Sequence, residues 1–225
     1  MLRRTAEAQS KYQLVLRLEK SAPQDVVQRA YYGLGYVLFN SRQYDQALPM
    51  FRHFVSKASR GTPLYTDALV RLADCLYATK SYSDALSHYN RARQMGSAED
   101  DYLLFQQGMI NGILRNYSES RNLFNLLLSQ YPKSTYRDEA IYQRAQFDIE
   151  QGNYQLAVDG LSQLIRQASG SRFLPYAYLR RAASYYNLKQ YDRAAADYIE
   201  ILQQFPSHPA AQQAIMLLPE ALNLA

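Results

Sequence analysis

A short motif recurs five times along the 225-residue chain, and its spacing constrains the fold more than any other feature. Each copy has a polar turn, a tyrosine and then a small residue that opens an apolar segment. The small residues lie 38, 35, 37 and 37 residues apart, and they are Ala47, Ala85, Ser120, Ala157 and Ala194. A period of this length is typical of solenoids, in which neighbouring supersecondary units stack on one another.

Apolar residues recur at helical spacing on both sides of each motif, which predicts two helices joined by a short turn. In the first complete repeat, the residues that follow this spacing are Tyr31, Leu34, Leu38, Phe51 and Phe54. One place in every first helix holds a small residue, and these residues are Gly35, Ala73, Gly108, Ala145 and Ala182. Because a larger side chain there would push the two helices apart, we expect a close crossing at each.

This spacing resembles the tetratricopeptide repeat, in which a bulky residue, leucine, a small residue, an aromatic residue, alanine, a second aromatic residue and a proline follow in order. The resemblance covers about residues 28–206. Long repeats that end in segments such as 130–134 and 204–208 look like bacterial cell-envelope members of the family. These include the periplasmic coordinator of the Tol and Pal system and the lipoprotein of the outer-membrane β-barrel assembly machine.

The resemblance implies an all-α fold, a right-handed superhelical solenoid of antiparallel helix pairs, with about five full repeats and a partial helix at each end. Residues 1–225 then form a single array, with repeats at about 28–63, 66–99, 101–136, 138–173 and 175–207 and partial units at 5–22 and 208–225. The Gly-, Ser- and Pro-rich segments between repeats are interpreted as lengthened second helices followed by loops, and they lie at 57–63, 96–100 and 167–175. In the last unit, Pro219 is expected to break the helix.

Neither end of the chain matches a capping helix, because solenoids normally finish in a polar helix and residues 217–222 are mostly apolar. We therefore expect this chain to be a fragment of a longer protein. The truncated ends would expose apolar helix faces that could pair with a second copy.

In the tetratricopeptide repeat the first helices line a concave face, and four positions of each first helix point into it. By that register the partner-binding residues are Tyr32, Tyr36, Phe39, Tyr77, Tyr102, Phe105, Met109, Tyr142, Gln146, Tyr176 and Tyr186. Other positions of the same register hold Asp67, Val70, Asp74, Gly112 and Glu139. Aromatic side chains are favoured at recognition surfaces, so we expect an extended or helical peptide as the ligand. In an alternative interpretation, the rings pack between adjacent first helices.

Several kinds of ligand and chemistry are not expected. The clamp for chaperone tails needs Lys, Asn and Arg in the groove, where the first repeat has Tyr32 and Tyr36. The three histidines have no metal-binding spacing, and no phosphate loop is present. An acid recurs at the start of second helices, where the helix dipole favours it, at Asp45, Asp84, Glu119 and Asp192. We therefore expect no catalytic residue, metal, cofactor or small-molecule substrate.

The sequence thus predicts a non-enzymatic scaffold that binds a protein or peptide, in the periplasm or cell envelope, with the cytoplasm as the alternative compartment. Two other functions stay open. The net charge of +5 and the 35-residue spacing near that of pentatricopeptide repeats suggest an RNA-binding array. Tyr32, Val70 and Phe105 at a base-reading position do not form a polar code, which argues against nucleic acid. The chain could also be a regulatory domain of a larger enzyme.

Overall fold

The computed structural model describes the backbone of residues 2–225 and the side chains from Ala6 onward, so Met1, where the predicted array begins, lies outside the described residues. Within this range the chain forms twelve α-helices and no β-strand, which confirms the predicted all-α class. The helices are α1 Leu2–Arg17, α2 Gln24–Asn40, α3 Tyr44–Lys57, α4 Pro63–Ala78, α5 Tyr82–Gln94, α6 Asp100–Ile113, α7 Tyr117–Gln130, α8 Arg137–Glu150, α9 Tyr154–Gln167, α10 Leu174–Asn187, α11 Tyr191–Gln204 and α12 Pro209–Leu224.

Contacts divide the described chain into two compact units, unit 1 up to Ile110 and unit 2 from Asn111 onward. In unit 1, α2 packs against α3 and α4 against α5, while α1 packs on α2 and α3 packs on α4. In unit 2, α8 packs against α9 and α10 against α11, while α12 packs on both α11 and α10. The helices of these pairs therefore bury their apolar faces against one another. A single array over residues 1–225, with the repeat boundaries given above, stays a prediction.

The turn before each second helix has the same backbone geometry in all five motifs. The residue two before the motif tyrosine is left-handed, with φ between 58° and 74°, and these residues are Arg42, Lys80, Arg115, Gly152 and Lys189. Each donates its N–H to the carbonyl three residues earlier, and the next residue donates to the carbonyl five residues earlier at 2.8–2.9 Å. This pair of bonds is the Schellman motif, which usually has glycine at the left-handed position. The tyrosine then begins the second helix.

The small residues predicted for close helix crossings are all buried. Gly35 of α2 faces the Phe51 ring of α3, and a Cβ added to this glycine would lie 3.0 Å from two ring atoms. Ala73, Ala145 and Ala182 are at most 1% exposed, and Gly108 is buried as well. A further close approach joins α1 to α2, where a Cβ on Gly33 would lie 2.4 Å from the Tyr12 ring. The helices can therefore approach closely because the residues at these crossings have no side chain or only a methyl group.

The acids that follow the turns lie where the helix dipole favours them. Asp45, Asp84, Glu119 and Asp192 are in the first turns of α3, α5, α7 and α11, as the sequence predicts. A carboxylate in this place compensates the partial positive charge of the free N–H groups at a helix N-terminus.

The prediction of lengthened second helices is wrong. The second helices α3, α5 and α9 have 14, 13 and 14 residues, against 14 in both α7 and α11. The extra residues therefore lie outside the second helices, partly in the loops and, in the longest spacing, partly in the first helix α4, which has 16 residues against 14 in α6, α8 and α10. Gly61 and Gly96 in these segments adopt positive φ values of 83° and 73°, which a continuing right-handed helix does not permit.

The expectation that Pro219 breaks the last helix is also wrong, because α12 continues through it to Leu224. A proline removes one backbone donor and crowds the carbonyl four residues earlier, which costs least where the helix is open to solvent. Pro219 is exposed, while Leu218 and Ala221 on either side pack on the apolar cluster of unit 2. This packing keeps both halves of the helix in place.

Replacing Gly112 tests the close packing directly. A Cβ at this position in α6 would lie 2.0 Å from the Phe147 ring, which also packs against the rings of Phe124 and Tyr117. We expect Gly112→Ala to lower the free energy of unfolding by about 1–3 kcal/mol in urea titrations, because the added methyl group would force the ring out of this packing.

The matched control is Gly160→Ala in α9, where the added Cβ would lie 3.5 Å from Arg144 Nη2 and 3.9 Å from Ala145 Cβ. Those are ordinary contacts, so the higher helix propensity of alanine should stabilise the protein by about 0.5–1 kcal/mol. Equal effects of the two substitutions would contradict this account.

Candidate functional site

The eleven predicted partner-binding residues lie on α2, α4, α6, α8 and α10. Their exposure differs widely. Phe105 is buried at 6% exposure, Tyr176 is exposed at 38%, and the other nine are partly buried. The ring of Phe105 therefore offers little surface to a partner, whereas Tyr176 offers the most. Partner binding by these residues stays a prediction.

Two of the predicted tyrosines in unit 1 bind a carboxylate of the next first helix. The hydroxyls of Tyr32 and Tyr36 on α2 both donate to Oδ2 of Asp67 on α4, at 2.7 and 2.5 Å. The two rings also meet edge to face, with centroids 5.0 Å apart. Hydrogen bonds to an ionised acceptor are stronger than those between neutral groups. These bonds therefore tie α2 to α4 through side chains at predicted groove positions.

Arg71 on α4 links this carboxylate to two others. Its Nη1 lies 2.6 Å from Asp74 Oδ2, its Nη2 lies 2.8 and 2.6 Å from the two oxygens of Glu99, and its Nε lies 3.6 Å from Asp67 Oδ1. The guanidinium also lies over the Phe39 ring, 5.9 Å from its centroid. One cation thus connects three acids and one of the predicted aromatic residues.

Asp74 is the buried end of this arrangement, with 7% of its surface exposed. The hydroxyls of Tyr89 on α5 and Tyr102 on α6 both donate to its Oδ1 at 2.6 Å, while Oδ2 binds Arg71. Both carboxylate oxygens are therefore satisfied. We call the connected set the tyrosine–carboxylate network, and its members are Tyr32, Tyr36, Asp67, Arg71, Asp74, Tyr89, Glu99 and Tyr102.

The network shifts the pKa values of its members. Burial, followed by the hydrogen bond to Asp67, raises the pKa of Tyr36 to about 12 and raises that of Tyr32 further. Burial and the charge of Asp74 raise the pKa values of Tyr89 and Tyr102. Burial lowers the pKa of Arg71, but the carboxylates of Asp74 and Glu99 outweigh it and raise that pKa overall. The tyrosines therefore stay neutral donors and Arg71 stays a cation at neutral pH.

The network changes how the predicted tyrosines of unit 1 are interpreted. Tyr32, Tyr36 and Tyr102 use their hydroxyls inside the protein, as the alternative interpretation of packing between adjacent first helices describes. Arg71 is not among the residues predicted from the sequence. An acid four residues before it and another three residues after it are a helical ion-pair pattern that could have identified it.

Unit 1 has a cavity of about 400 Å³ beside the network. The start of α4 and the loop before α6 line it, including Asp67, Val70 and Glu99. Asp67 and Val70 are both positions of the predicted groove register. The cavity therefore borders the surface that the sequence assigns to a partner.

Unit 2 has a cavity of about 520 Å³ at the start of α8, lined by residues that include Glu139 and Phe173. The Tyr142 ring stacks on Phe173, with centroids 5.4 Å apart and planes at 24°, and lies 6.5 Å from the Tyr176 ring. Tyr176 in turn meets His208 edge to face at 4.8 Å. Tyr142, Tyr176 and Phe173 thus form a continuous aromatic surface in this unit.

Other positions of the predicted groove register in unit 2 are occupied from within the protein. At Gly112 the Phe147 ring occupies the space that a side chain would fill. The hydroxyl of Tyr186 donates to Glu220 Oε1 on α12 at 2.5 Å, and this hydrogen bond raises the pKa of Tyr186 to about 12. The aromatic surface at register positions of unit 2 therefore lies on α8 and the first half of α10.

Within the described residues, no group of three or more His, Cys, Asp or Glu side chains is placed to hold a metal ion. The described helices also include none that is long and apolar enough to cross a bilayer.

Comparisons with known proteins agree with the helix pairs. A family model described as "Tetratricopeptide repeat" matches residues 32–100, and a second model with the same description matches residues 139–171 and 176–208. Together they cover well over half of the chain. The chain belongs to the tetratricopeptide repeat family. A search of curated proteins finds no match.

Solved structures of the same fold share little sequence with this chain. The crystal structure of YrrB, described as a TPR protein with an unusual peptide-binding site, is 16% identical with a TM-score of 0.65, covering 94% of this chain and 100% of YrrB. A tetratricopeptide repeat protein from Parabacteroides merdae is 19% identical with a TM-score of 0.68, covering 96% and 82%. MamA from Desulfovibrio magneticus is 9% identical with a TM-score of 0.68, covering 81% and 97%. At these identities the likeness shows the fold alone.

Substitutions at two buried tyrosines of unit 1 can distinguish the stability that comes from the hydrogen bonds of the network from the stability that comes from ring packing. Tyr89 is fully buried and donates to Asp74, whereas the hydroxyl of Tyr65, which is 1% exposed, has no hydrogen-bond partner among the described residues. We expect Tyr89→Phe to lower the free energy of unfolding by about 1.5–3 kcal/mol, because a buried carboxylate loses a donor. Tyr65→Phe removes an unpaired buried hydroxyl and should be neutral or stabilising. Urea titrations in which both variants lose the same free energy of unfolding would contradict this expectation.

The raised tyrosine pKa values predict a loss of stability at alkaline pH. Tyrosines of the unfolded chain release their protons near pH 10, whereas Tyr36 holds its proton to about pH 12 and Tyr32 beyond it. The stabilisation is therefore complete below about pH 10 and declines as the pH rises further. Urea titrations at several alkaline pH values should show this decline, and Tyr36→Phe should reduce it. A free energy of unfolding that is independent of pH in this range would contradict the assignment.

Proposed function

We propose that this protein is a non-enzymatic scaffold that binds a peptide or a protein segment along its first helices. A tetratricopeptide fold is typical of protein-interaction scaffolds. The observation that carries the proposal is the aromatic surface of unit 2, where Tyr142, Phe173 and the exposed Tyr176 lie in contact. Rings in such an arrangement provide contact area while losing little conformational freedom on binding.

Unit 1 has aromatic rings of its own at register positions, and these rings are already fixed. Tyr32 and Tyr36 are anchored to Asp67 through their hydroxyls, and Phe39 is packed under Arg71. A side chain that is already ordered before binding has less entropy to lose, so a fixed aromatic surface favours affinity. In this proposal the internal hydrogen bonds and the binding role are compatible. The hydroxyls of Tyr32 and Tyr36 donate to Asp67, while both residues are only partly buried.

A peptide is the proposed ligand class for two reasons. The cavities in units 1 and 2 both lie at the start of a first helix, beside a predicted register position, Asp67 in one and Glu139 in the other. YrrB, which has a similar fold, is described as having an unusual peptide-binding site. Open cavities beside aromatic residues suit an extended segment, whose side chains can enter them one at a time.

The test is to select peptides from a displayed random library on the wild-type chain and to measure their affinity for two variants. We expect Tyr176→Ala to weaken binding about tenfold or more, which corresponds to about 1.4 kcal/mol. The matched control is Leu156→Ala on the second helix α9, which removes an apolar side chain that is 46% exposed and should leave binding unchanged. Circular dichroism confirms that both variants are folded. Peptides that bind all three proteins equally would refute the groove assignment.

RNA binding is the second candidate function, and the net charge of +5 is the observation that favours it. Titration with single-stranded RNA at several salt concentrations separates the two proposals. A phosphate-binding surface would show an affinity that falls steeply as salt rises, whereas no measurable binding is expected of a peptide scaffold.

We also propose that the protein works in the bacterial cell envelope, as part of a larger protein. The support is the resemblance of its long repeats to envelope members of the family. Fractionation of cells that express the full-length tagged gene product tests this, and a purely cytoplasmic product would contradict it.

A further inference from the structure

The last helix has the sequence pattern of a first helix whose partner is not among the described residues. Both α4 and α12 begin with a proline, and the preceding residue caps each of them: Thr62 Oγ1 accepts from the N–H of Tyr65, and His208 Nδ1 accepts from that of Ala210. Aligned at these prolines, Leu69, Leu72 and Leu76 of α4 correspond to Ile215, Leu218 and Leu222 of α12.

The corresponding residues differ sharply in exposure. Leu69, Leu72 and Leu76 are at most 3% exposed in the core that α4 shares with α5. In α12, Ile215 is 60% exposed and Leu222 is 53% exposed. The apolar stripe that a second helix covers elsewhere is therefore present on α12 and open.

Helix α1 also has an apolar face that its neighbours cover only in part. Ala8, Tyr12 and Val15 of α1 stand 39 residues before Ala47, Phe51 and Phe54 of the second helix α3. The three residues of α3 are buried, whereas those of α1 are only partly buried. In α3 these residues form the apolar stripe that packs on its own first helix. The corresponding stripe of α1 is therefore only partly buried.

The contacts of α1 explain why. A second helix such as α3 packs on two neighbours, its own first helix α2 and the following first helix α4. Among the described helices, α1 packs only on the following one, α2, where Tyr12 fills the space at Gly33. Among the described helices, none precedes α1 as its first helix and none follows α12 as its second helix.

The charges of the two helices also complement each other. The sequence of α1 has four basic residues and one acid, whereas that of α12 has one acid and no basic residue. A contact between two copies of either helix would bring like charges together. A contact of α12 with α1 brings opposite charges together and favours this pairing.

We propose that α12 of one copy packs against α1 of a second copy, so that two chains complete one helix pair between them. The contact joins different surfaces of the two copies, so each pair keeps one free α1 and one free α12. Association therefore does not stop at two copies. This inference does not depend on the peptide-binding proposal, because neither helix carries the partner-binding residues.

The first test measures the mass of the 225-residue chain by sedimentation and light scattering over a wide range of concentrations. We expect the average mass to rise with concentration beyond that of a dimer. Ile215→Lys should leave a monomer, because it places a charge in the open stripe of α12. The matched control is Met216→Lys, which changes a neighbouring apolar residue that is 79% exposed but corresponds to Val70 rather than to the stripe, and it should associate like the wild type.

The second test mixes two variants that are blocked at opposite ends. Ile215→Lys keeps a usable α1, and Val15→Lys keeps a usable α12, so each alone should be monomeric and an equimolar mixture should form a dimer of one copy of each. Ala8→Arg blocks α1 independently, which covers the case in which Val15→Lys detaches α1 from α2. Circular dichroism confirms that the helices are retained.

Three results would overturn the proposal. The wild-type chain could stay monomeric at every concentration, which would show that the open faces of α1 and α12 do not bind each other. The α1-blocked variants could still form dimers, which would indicate contact between two α12 helices. Met216→Lys could abolish association as fully as Ile215→Lys, which would indicate non-specific adhesion of apolar side chains.

Discussion

The fold depends on helices that approach one another closely where side chains are small. At Gly35 the Phe51 ring lies where a Cβ would be crowded, and at Gly112 and Gly33 the aromatic rings of Phe147 and Tyr12 lie closer still. These contacts place a large apolar ring of one helix directly on the backbone of another. Dense packing of this kind supplies the apolar burial that stabilises each helix pair.

Once the helices are this close, polar groups between them have to be satisfied inside the protein. Asp74 is buried between α4 and its neighbours, and an unpaired carboxylate there would be costly. Arg71, Tyr89 and Tyr102 satisfy it, and the same arginine reaches Asp67 and Glu99. The tyrosine–carboxylate network is thus a consequence of packing, and it connects α2, α4, α5 and α6 of unit 1. It also fixes the hydroxyls of Tyr32 and Tyr36 on Asp67.

The features of the fold that follow from residues close together in the sequence could be predicted. Those that depend on contacts between distant residues could not. The helices, their pairing and the burial of Gly35, Ala73 and Ala182 follow from spacing, because helical periodicity and the need for a small residue at a crossing are local rules. The left-handed turns were missed, because Arg42, Lys80, Arg115 and Lys189 stand where glycine is the usual indication. Pro219 was misjudged because its exposure and the anchoring of Leu218 and Ala221 are properties of the packed helix.

The sequence by itself determined the helical class, the repeat period and the residues on each apolar stripe, since the stripes repeat within one or two turns of helix and the motif itself recurs five times along the chain. Only the tertiary structure decided what the tyrosines do. A tyrosine at a register position can face a ligand or donate to a carboxylate, and the choice depends on whether an acid from another helix comes within hydrogen-bonding distance. Asp67 meets Tyr32 and Tyr36 across more than thirty residues of chain. No local pattern specifies that meeting, because it arises from the way α2 and α4 pack.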